Sequence, residues 1–168
     1  MSAYATGPGA LKVKPETTLQ STGPLLETAM NPTQAVCNYA LLQFLPYPET
    51  GEFVNVGVLV ACMQPCLLHF TGERAMPERV KAMFPRQHEQ AFADAMAAMQ
   101  IDMQRAKSSV RDPKTCHLIF GELVRRRESI FRFGEVRTIL TNDPRQLVED
   151  LFRRYVQMES PKPSLVAA

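Results

Sequence analysis

Hydrophobic positions between residues 35 and 71 follow the alternation and the continuous apolar runs that are typical of β-strands. Residues 36–45 alternate, residues 52–62 are β-branched and nearly continuous, and residues 66–71 follow a turn. Strands that are joined by short links pair in antiparallel order. The pattern therefore predicts an antiparallel meander whose middle strand is covered on both faces.

The middle of the chain has the period of an α-helix instead. Residues 77–84 predict a short helix, residues 87–107 predict a long one, and Asp112 followed by Pro113 predicts the start of a third. The long helix carries a single apolar stripe, formed by Phe92, Met96, Met99, Met103 and Ala106. A methionine-rich stripe serves either as an adaptable binding face or as core, and core is the commoner use.

The last third of the chain repeats this change of pattern. Residues 129–133 and 136–141 predict two short strands about Gly134, and Asp143 with Gln146 forms the start signal of a final helix. The complete order predicts an α+β fold, in which an antiparallel sheet of about five short strands is packed by three to four helices.

The sequence predicts one folded domain between a flexible N-terminal arm and a frayed C-terminal tail. Residues 1–33 are rich in Pro, Thr, Gly and Ser and carry no sustained period, which predicts a flexible, disordered N-terminal arm. Residues 34–158 predict a single α+β domain, because 168 residues leave too little chain for two full cores. Residues 159–168 predict a frayed C-terminal tail.

Composition and the absence of targeting signals predict a cytoplasmic location. No apolar run reaches the ~18 residues of a membrane-spanning helix, so we predict no contact with a membrane, and no secretory signal is visible. The four cysteines are therefore expected to be reduced. Cys62, Cys66 and His69 lie close in sequence, but a strand places the last two on opposite faces, so we predict no metal site and no cofactor.

Two blocks of sequence resemble a known family. The stretches 39–46 and 51–58, the second reading Gly-Glu-Phe-Val-Asn-Val-Gly-Val, are similar to the opening signature of a bacterial family classed as domain of unknown function 3037. Residues 131–144 and 151–156 resemble its closing signature. The resemblance implies no established reaction. It implies a regulatory or partner role, because genes of this family often neighbour a kinase of the persistence-toxin type.

Asn55 is the first candidate for chemistry, because Asn is disfavoured in strands and yet lies among valines here. A period of two places Asn55 on the face of Phe53, Gly57 and Leu59. The missing side chain of Gly57 leaves room there for a ligand or another backbone. Two interpretations stay open: a small polar pocket above the sheet, or a structural amide that hydrogen-bonds an adjacent element.

Glu52, Glu135 and Arg137 are the charged candidates: Glu52 and Glu135 each occur beside a strand, and Arg137 follows Glu135. Glu135 and Arg137 are two residues apart, so on a strand they share a face and either pair or jointly present an acid and a cation. General acid–base catalysis needs two groups with separated pKa values near one substrate. Structural ion pairing is the alternative, and only the spatial arrangement of these residues with Asn55 decides between them.

Positive charge is concentrated late in the chain. Residues 105–154 hold 12 Lys or Arg against 7 Asp or Glu, whereas residues 1–104 hold 6 against 9. Arg125, Arg126 and Arg127 form the densest basic run and are candidate contacts for an anion or a nucleic acid. On a helix these side chains would point ~100° apart, and a solvated helix end is the alternative interpretation.

The search for catalytic motifs favours a protein that is not an enzyme. No phosphate-binding loop, nucleophile elbow or metalloprotease motif occurs in the sequence. The sequence favours a cytoplasmic binding or regulatory module that contacts a protein partner, such as a toxin-type kinase, through its sheet edge, its methionine-bearing helix or its arm. The alternative is a nucleic-acid-binding or nucleic-acid-processing protein that uses the basic C-terminal half.

Overall fold

A computed structural model describes residues 34–159 of the chain. The predicted arm, residues 1–33, and all of the predicted tail except Glu159 lie outside the described residues. The described strands are β1 (Ala35–Phe44), β2 (Val54–Cys62), β3 (Leu67–Gly72), β4 (Phe131–Phe133) and β5 (Arg137–Thr141). The described α-helices are α1 (Glu78–Met83), α2 (Glu89–Ser109), α3 (Pro113–Leu123) and α4 (Leu147–Tyr155). This content confirms the predicted α+β fold class.

The strands form one antiparallel sheet around β1. β2 pairs with one side of β1 and β3 pairs with β2, so the predicted meander is confirmed. The other side of β1 is shared, because β4 pairs with residues 42–44 and β5 pairs with residues 35–39. β5 therefore lies at an edge of the sheet.

Hydrophobic side chains fill both faces of this sheet. The helices α1, α2 and α3 pack on one face, which we call the three-helix face. The helix α4 packs on the opposite face, which we call the α4 face. Phe92, Met96 and Met103 of the predicted methionine stripe are buried in the core of the three-helix face, so the core interpretation of that stripe is confirmed. Of the helices within residues 34–159, none combines the length and the apolar character needed to cross a bilayer.

Of the two predicted caps, Asp112 caps a helix, whereas the prediction that Asp143 is the N-cap of α4 is wrong, because that N-cap is Gln146 and Asp143 caps the turn before it. The Asp112 carboxylate accepts hydrogen bonds from the Thr115 N–H at 2.8 Å and from the Thr115 hydroxyl at 3.0 Å, which confirms the N-cap of α3. Asp143 likewise accepts from the N–H groups of Arg145 and Gln146, both at 3.1 Å. α4 nevertheless begins only at Leu147, because the residues directly after Asp143 form a turn.

A β-bulge in β2 corrects the predicted face of Asn55. Leu42 pairs with Gly57 and Gln43 pairs with Asn55, so Val56 has no partner on β1. The extra residue shifts the alternation, and Asn55 lies on the α4 face whereas Gly57 lies on the three-helix face. The prediction that Asn55 and Gly57 share a face is therefore wrong, because simple alternation contains no bulge.

Candidate functional site

An open groove of about 560 Å³ lies at the point where β4 turns into β5. Its lining comes from β1, from the loop after α3 and from the link between β4 and β5. The lining residues are Leu41, Gln43, Phe53, Val124, Arg126, Arg132, Phe133, Gly134, Glu135, Val136 and Arg137. We call it the arginine groove, because three arginines line it.

The register of the sheet brings two of these arginines to one face. Arg132 lies opposite Gln43 and Arg137 lies opposite Tyr39 on β1. Residues that are directly opposite on antiparallel strands point to the same face. Tyr39, Leu41 and Gln43 alternate with the residues of β1 that face the three helices. Arg132, Arg137 and Gln43 therefore share the α4 face.

Among the described residues, no salt bridge neutralises the arginines of the groove. The salt bridges within residues 34–159 use other cations, and none involves Arg126, Arg132 or Arg137. Glu135 is the acidic residue of the lining. The groove therefore presents three guanidinium groups against one carboxylate, which is an arrangement that attracts anions.

A second groove, of about 660 Å³, adjoins the arginine groove. Its lining residues are Leu45, Pro48, Glu49, Arg126, Arg127, Glu128, Ser129 and Arg132. Arg126 and Arg132 line both grooves and therefore stand between them. The second groove is less positive, because two carboxylates accompany its three arginines.

Two tyrosines connect the arginine groove to α4. The rings of Tyr39 and Tyr155 stack with their centroids 6.3 Å apart, and the Arg154 guanidinium lies 5.1 Å from the centroid of the Tyr155 ring. Burial and the neighbouring Tyr155 raise the pKa of Tyr39, whereas the guanidinium of Arg137 lowers it. Arg137 thus lies opposite Tyr39 in the sheet register, near enough for its charge to act on the pKa of that tyrosine.

The structure brings together only part of the predicted polar set. Glu135 and Arg137 both line the arginine groove, whereas Glu52 and Asn55 do not. Glu135 lies in the link between β4 and β5, because β5 begins at Arg137. Glu135 thus lies beside a strand, as predicted, and does not share one with Arg137, although both reach the groove. Glu52 is exposed in the loop before β2.

Asn55 has the geometry of a structural amide. Its Nδ2 donates to the carbonyl of Tyr155 at 3.4 Å and so joins β2 to the last turn of α4. Its backbone carbonyl accepts a hydrogen bond from the guanidinium of Arg79. Its Oδ1 is buried and has no hydrogen-bond partner among the described residues. Asn55 lines neither groove, so the structural interpretation has the better geometric support.

The basic run does not lie on a helix, since α3 ends at Leu123. In the loop that follows, Arg125 pairs with Glu122 at 3.7 Å, Arg126 lines both grooves and Arg127 lines the second. The prediction of a helical placement is wrong. The predicted site omitted Arg132, although the predicted strand over residues 129–133 already placed it close to Arg137.

Metal and thiol chemistry have little geometric basis in the described residues. No three His, Cys, Asp or Glu side chains within residues 34–159 are placed to hold a metal ion. Cys37, Cys62 and Cys116 are buried free thiols, and Cys66 is exposed. Burial raises the pKa of Cys37 to about 12 and that of Cys116 to about 11, so both thiols are protonated and weakly nucleophilic at neutral pH.

Comparison with known proteins gives the chain a family. The model of the family described as a protein of unknown function (DUF3037) matches residues 39–156. The chain belongs to this family. The DUF3037 match runs from β1 to the end of α4, so it contains every residue that lines the arginine groove. No curated protein and no solved structure matches the chain.

Proposed function

We propose that the protein is a non-catalytic binding module of the bacterial cytoplasm, which regulates a protein partner by pairing with it along the outer edge of β5. The sequence predicted three contact surfaces. The methionine-bearing helix is part of the core, and the arm lies outside the described residues. The sheet edge is therefore the surface that the geometry favours, and its open backbone is the observation that carries the proposal.

The backbone pattern of β1 indicates which groups face β4 and β5. The Gly134 N–H donates to the Leu41 carbonyl at 2.9 Å, and the Leu45 N–H donates to the Ile130 carbonyl at 2.7 Å. Because backbone groups of successive residues alternate between the two sides of a strand, the odd-numbered residues of β1 turn theirs toward β4 and β5.

The same alternation determines the groups at the outer edge of β5. Arg137, Ile139 and Thr141 lie opposite odd-numbered residues of β1 and bond to that strand. Thr138 and Leu140 therefore turn their N–H and C=O groups outward. No strand within residues 34–159 pairs with this edge.

The side chains beside this edge suit a second strand. Leu140 is 53% exposed, its cross-strand neighbour Val36 is 48% exposed, and Val136 before the strand is 47% exposed. Sheet edges are commonly protected by Lys, Pro or a bulge. Thr138 and Leu140, whose backbone groups turn outward, are neither charged residues nor prolines. An extended segment of a partner can add to such an edge by main-chain hydrogen bonds.

One further observation supports the proposed location. The four cysteines are free thiols, as expected in a reducing compartment. The toxin-type kinase that the family resemblance implies stays a prediction, and it is the first protein to look for among captured partners.

The nucleic-acid function stays a second prediction, favoured by the arginines that line two adjoining grooves. Glu49, Glu128 and Glu135 stand among those arginines and repel phosphate groups. The interleaved carboxylates make a protein partner the better match to the geometry.

The test uses the full-length tagged protein to capture partners from a lysate of its host, with wild type and Leu140→Pro compared. Proline removes the outward N–H of residue 140, which a sheet edge tolerates because no ladder bond is lost. We expect Leu140→Pro to remain folded and to lose the partner. Leu118→Thr removes a similarly exposed leucine from α3 and serves as the matched control, which we expect to keep the partner.

Equal capture by wild type and Leu140→Pro would contradict the proposal. A concentration-dependent dimer that Leu140→Pro abolishes would also contradict it, because the edge would then pair with a second copy of the chain. Light scattering of the purified protein distinguishes the two results.

A further inference from the structure

We propose that the segment which pairs with β5 is acidic at one end and places a carboxylate in the arginine groove. This inference rests on the proposed function and adds the chemistry of the ligand to it. Three observations carry it: the continuity of edge and groove, the guanidinium groups that form no salt bridge within residues 34–159, and the space that Gly134 leaves for an amide.

The open edge of β5 leads directly into the arginine groove. Arg137 is both the first residue of β5 and a lining residue, and Gly134, Glu135 and Val136 line the groove before it. A strand that pairs along Thr138 and Leu140 and continues past Arg137 enters the groove. At ~3.4 Å per residue, its acidic group lies about three or four residues from the residue that faces Leu140.

The groove supplies donors for a carboxylate. Arg126, Arg132 and Arg137 belong to none of the salt bridges within residues 34–159, so their guanidinium groups keep their capacity to bind an anion. Arginine binds carboxylates through paired N–H groups in a fixed geometry. A single acidic side chain therefore finds several charged donors at the end of the edge.

Gly134 leaves room for a further donor. A Cβ at position 134 would stand 2.9 Å from Nε2 of Gln43, which is closer than ordinary contact. Because Gly134 has no Cβ, the Gln43 amide reaches the lining of the groove beside Arg132. The amide adds a neutral hydrogen-bond donor to the charged ones.

An acidic peptide suits this surface better than a nucleic acid does. The outward N–H and C=O groups of Thr138 and Leu140 match the main chain of an extended peptide, and a sugar–phosphate backbone offers no alternating donors and acceptors of that spacing. Glu135 also lies in the groove. Its carboxylate repels a run of phosphates more strongly than it repels one acidic side chain held between arginines.

The experiment selects short random peptides, displayed on phage, against the purified full-length protein. We expect the enriched peptides to alternate apolar or β-branched residues and to carry Asp or Glu at one end. Selection against Arg126→Glu is expected to lose the acidic preference while keeping the alternation. Arg126 lies in an exposed loop, so this variant leaves the sheet intact, and Arg105→Glu makes the same charge change on exposed α2 as the control.

Fluorescence anisotropy of one enriched, labelled peptide then measures how much each substitution changes its affinity. We expect Arg126→Glu to weaken binding about tenfold or more, since hydrogen bonds to charged groups contribute this much. Replacing the acidic residues of the peptide with Gln is expected to have a similar effect. Arg105→Glu is expected to change the affinity less than about twofold, because exposed charges far from the ligand are screened by salt.

The outcomes separate this inference from the function on which it rests. If the enriched peptides bind wild type but not Leu140→Pro, and show no preference for acidic residues, the inference is overturned. The proposed function then still stands. No enrichment, or the same peptides enriched on Leu140→Pro, overturns both. A short single-stranded oligonucleotide that binds more tightly than the peptide, and loses binding with Arg126→Glu, assigns the groove to nucleic acid and overturns the inference.

Discussion

Asn55 joins two layers of the molecule through a single residue. Its side-chain amide donates to the Tyr155 carbonyl at the end of α4, and its backbone carbonyl receives the guanidinium of Arg79 from α1. The carboxamide oxygen is buried without a partner among the described residues. An unpaired buried acceptor costs free energy, so this position is sensitive to the charge of whatever replaces the amide.

We expect Asn55→Asp to lower the free energy of unfolding by about 2–4 kcal/mol at pH 7. The new carboxylate takes the place of an oxygen that has no hydrogen-bond partner among the described residues, and it faces the Tyr155 carbonyl. Burial raises the pKa of such a carboxyl, so the loss is smaller at pH 4, where protonation removes the charge. Urea denaturation at both pH values measures this loss of free energy of unfolding, with Asn55→Leu as the uncharged control. An equal loss at both pH values would show that charge is not the cause.

Gly57 makes room for an aromatic ring inside the three-helix face. A Cβ at this position would lie 3.0 Å from a ring carbon of Phe70 and 3.1 Å from the Thr71 carbonyl oxygen. We therefore expect Gly57→Ala to destabilise the protein by about 1–3 kcal/mol through overpacking. Gly121 has open space where its Cβ would stand, so Gly121→Ala on α3 is the control. Equal thermal midpoints for the two variants would contradict this packing argument.

At the scale of elements, β4 and β5 divide one side of β1 between them. Both pair with β1 in antiparallel order, and the residues that link them line the arginine groove. Because β4 and β5 are both short, the groove lies at their junction, and the outer edge of β5 lies beside it. The candidate site is thus a consequence of how two short strands share a longer one.

Amide hydrogen exchange is expected to alternate along β5 in the free protein. Arg137, Ile139 and Thr141 bond to β1, so their amides exchange more slowly than those of Thr138 and Leu140, by about tenfold or more. Two-dimensional NMR after dilution into deuterated buffer measures these rates. Uniform protection along β5 would mean that its outer edge is already covered.

The N-cap of α3 makes the stability of the protein depend on pH. Hydrogen bonds from the backbone and side chain of Thr115 lower the pKa of Asp112. A carboxyl with a lowered pKa stabilises the fold fully above its ordinary pKa, and this contribution is lost as the pH falls through the lowered value. We expect Asp112→Ala to lower the thermal midpoint at pH 7 and the difference from wild type to shrink toward pH 2. Asp102→Ala, in the middle of α2, is the control for loss of a carboxylate, and a constant difference would contradict the cap mechanism.

The described domain, residues 34–159, is a sheet with a hydrophobic layer on each face. The two cores share β1 and β2, because alternate residues of these strands point to opposite faces. The three-helix face has the larger core, and α4 covers the other face with the side chains of Leu147, Val148, Leu151 and Phe152. Loss of either layer exposes the same sheet, so the described domain is expected to unfold cooperatively.

Leu151→Ala and Met103→Ala test this cooperativity from opposite faces. Both side chains are buried, and we expect each substitution to lower the free energy of unfolding by about 2–5 kcal/mol. Tyrosine fluorescence, to which Tyr39 and Tyr155 contribute on the α4 face and Tyr47 beside the core of the three-helix face, should follow the same transition as circular dichroism in both variants. Two separate transitions would show that the layers unfold independently. Leu118→Ala, at an exposed position of α3, is expected to change stability by less than about 0.5 kcal/mol.

Local patterns along the chain were enough to predict the order and type of the elements. Alternation, helical spacing and caps such as Asp112 act over a few residues, so their signals are complete in the local sequence. The methionine stripe of α2 was predictable as core for the same reason, because Met96 and Met103 fall on one helical face.

The candidate site depends instead on how distant segments of the chain pair in the fold. The bulge at Val56 reversed the face of Asn55, and the pairing of β1 with β4 and β5 placed Arg132 and Arg137 on one face, with Arg126 beside them. Strand register depends on contacts between residues far apart in the chain, and a slip of one residue turns every side chain to the other face. The convergence of these arginines is therefore a property of long-range pairing, which no local pattern in the sequence contains.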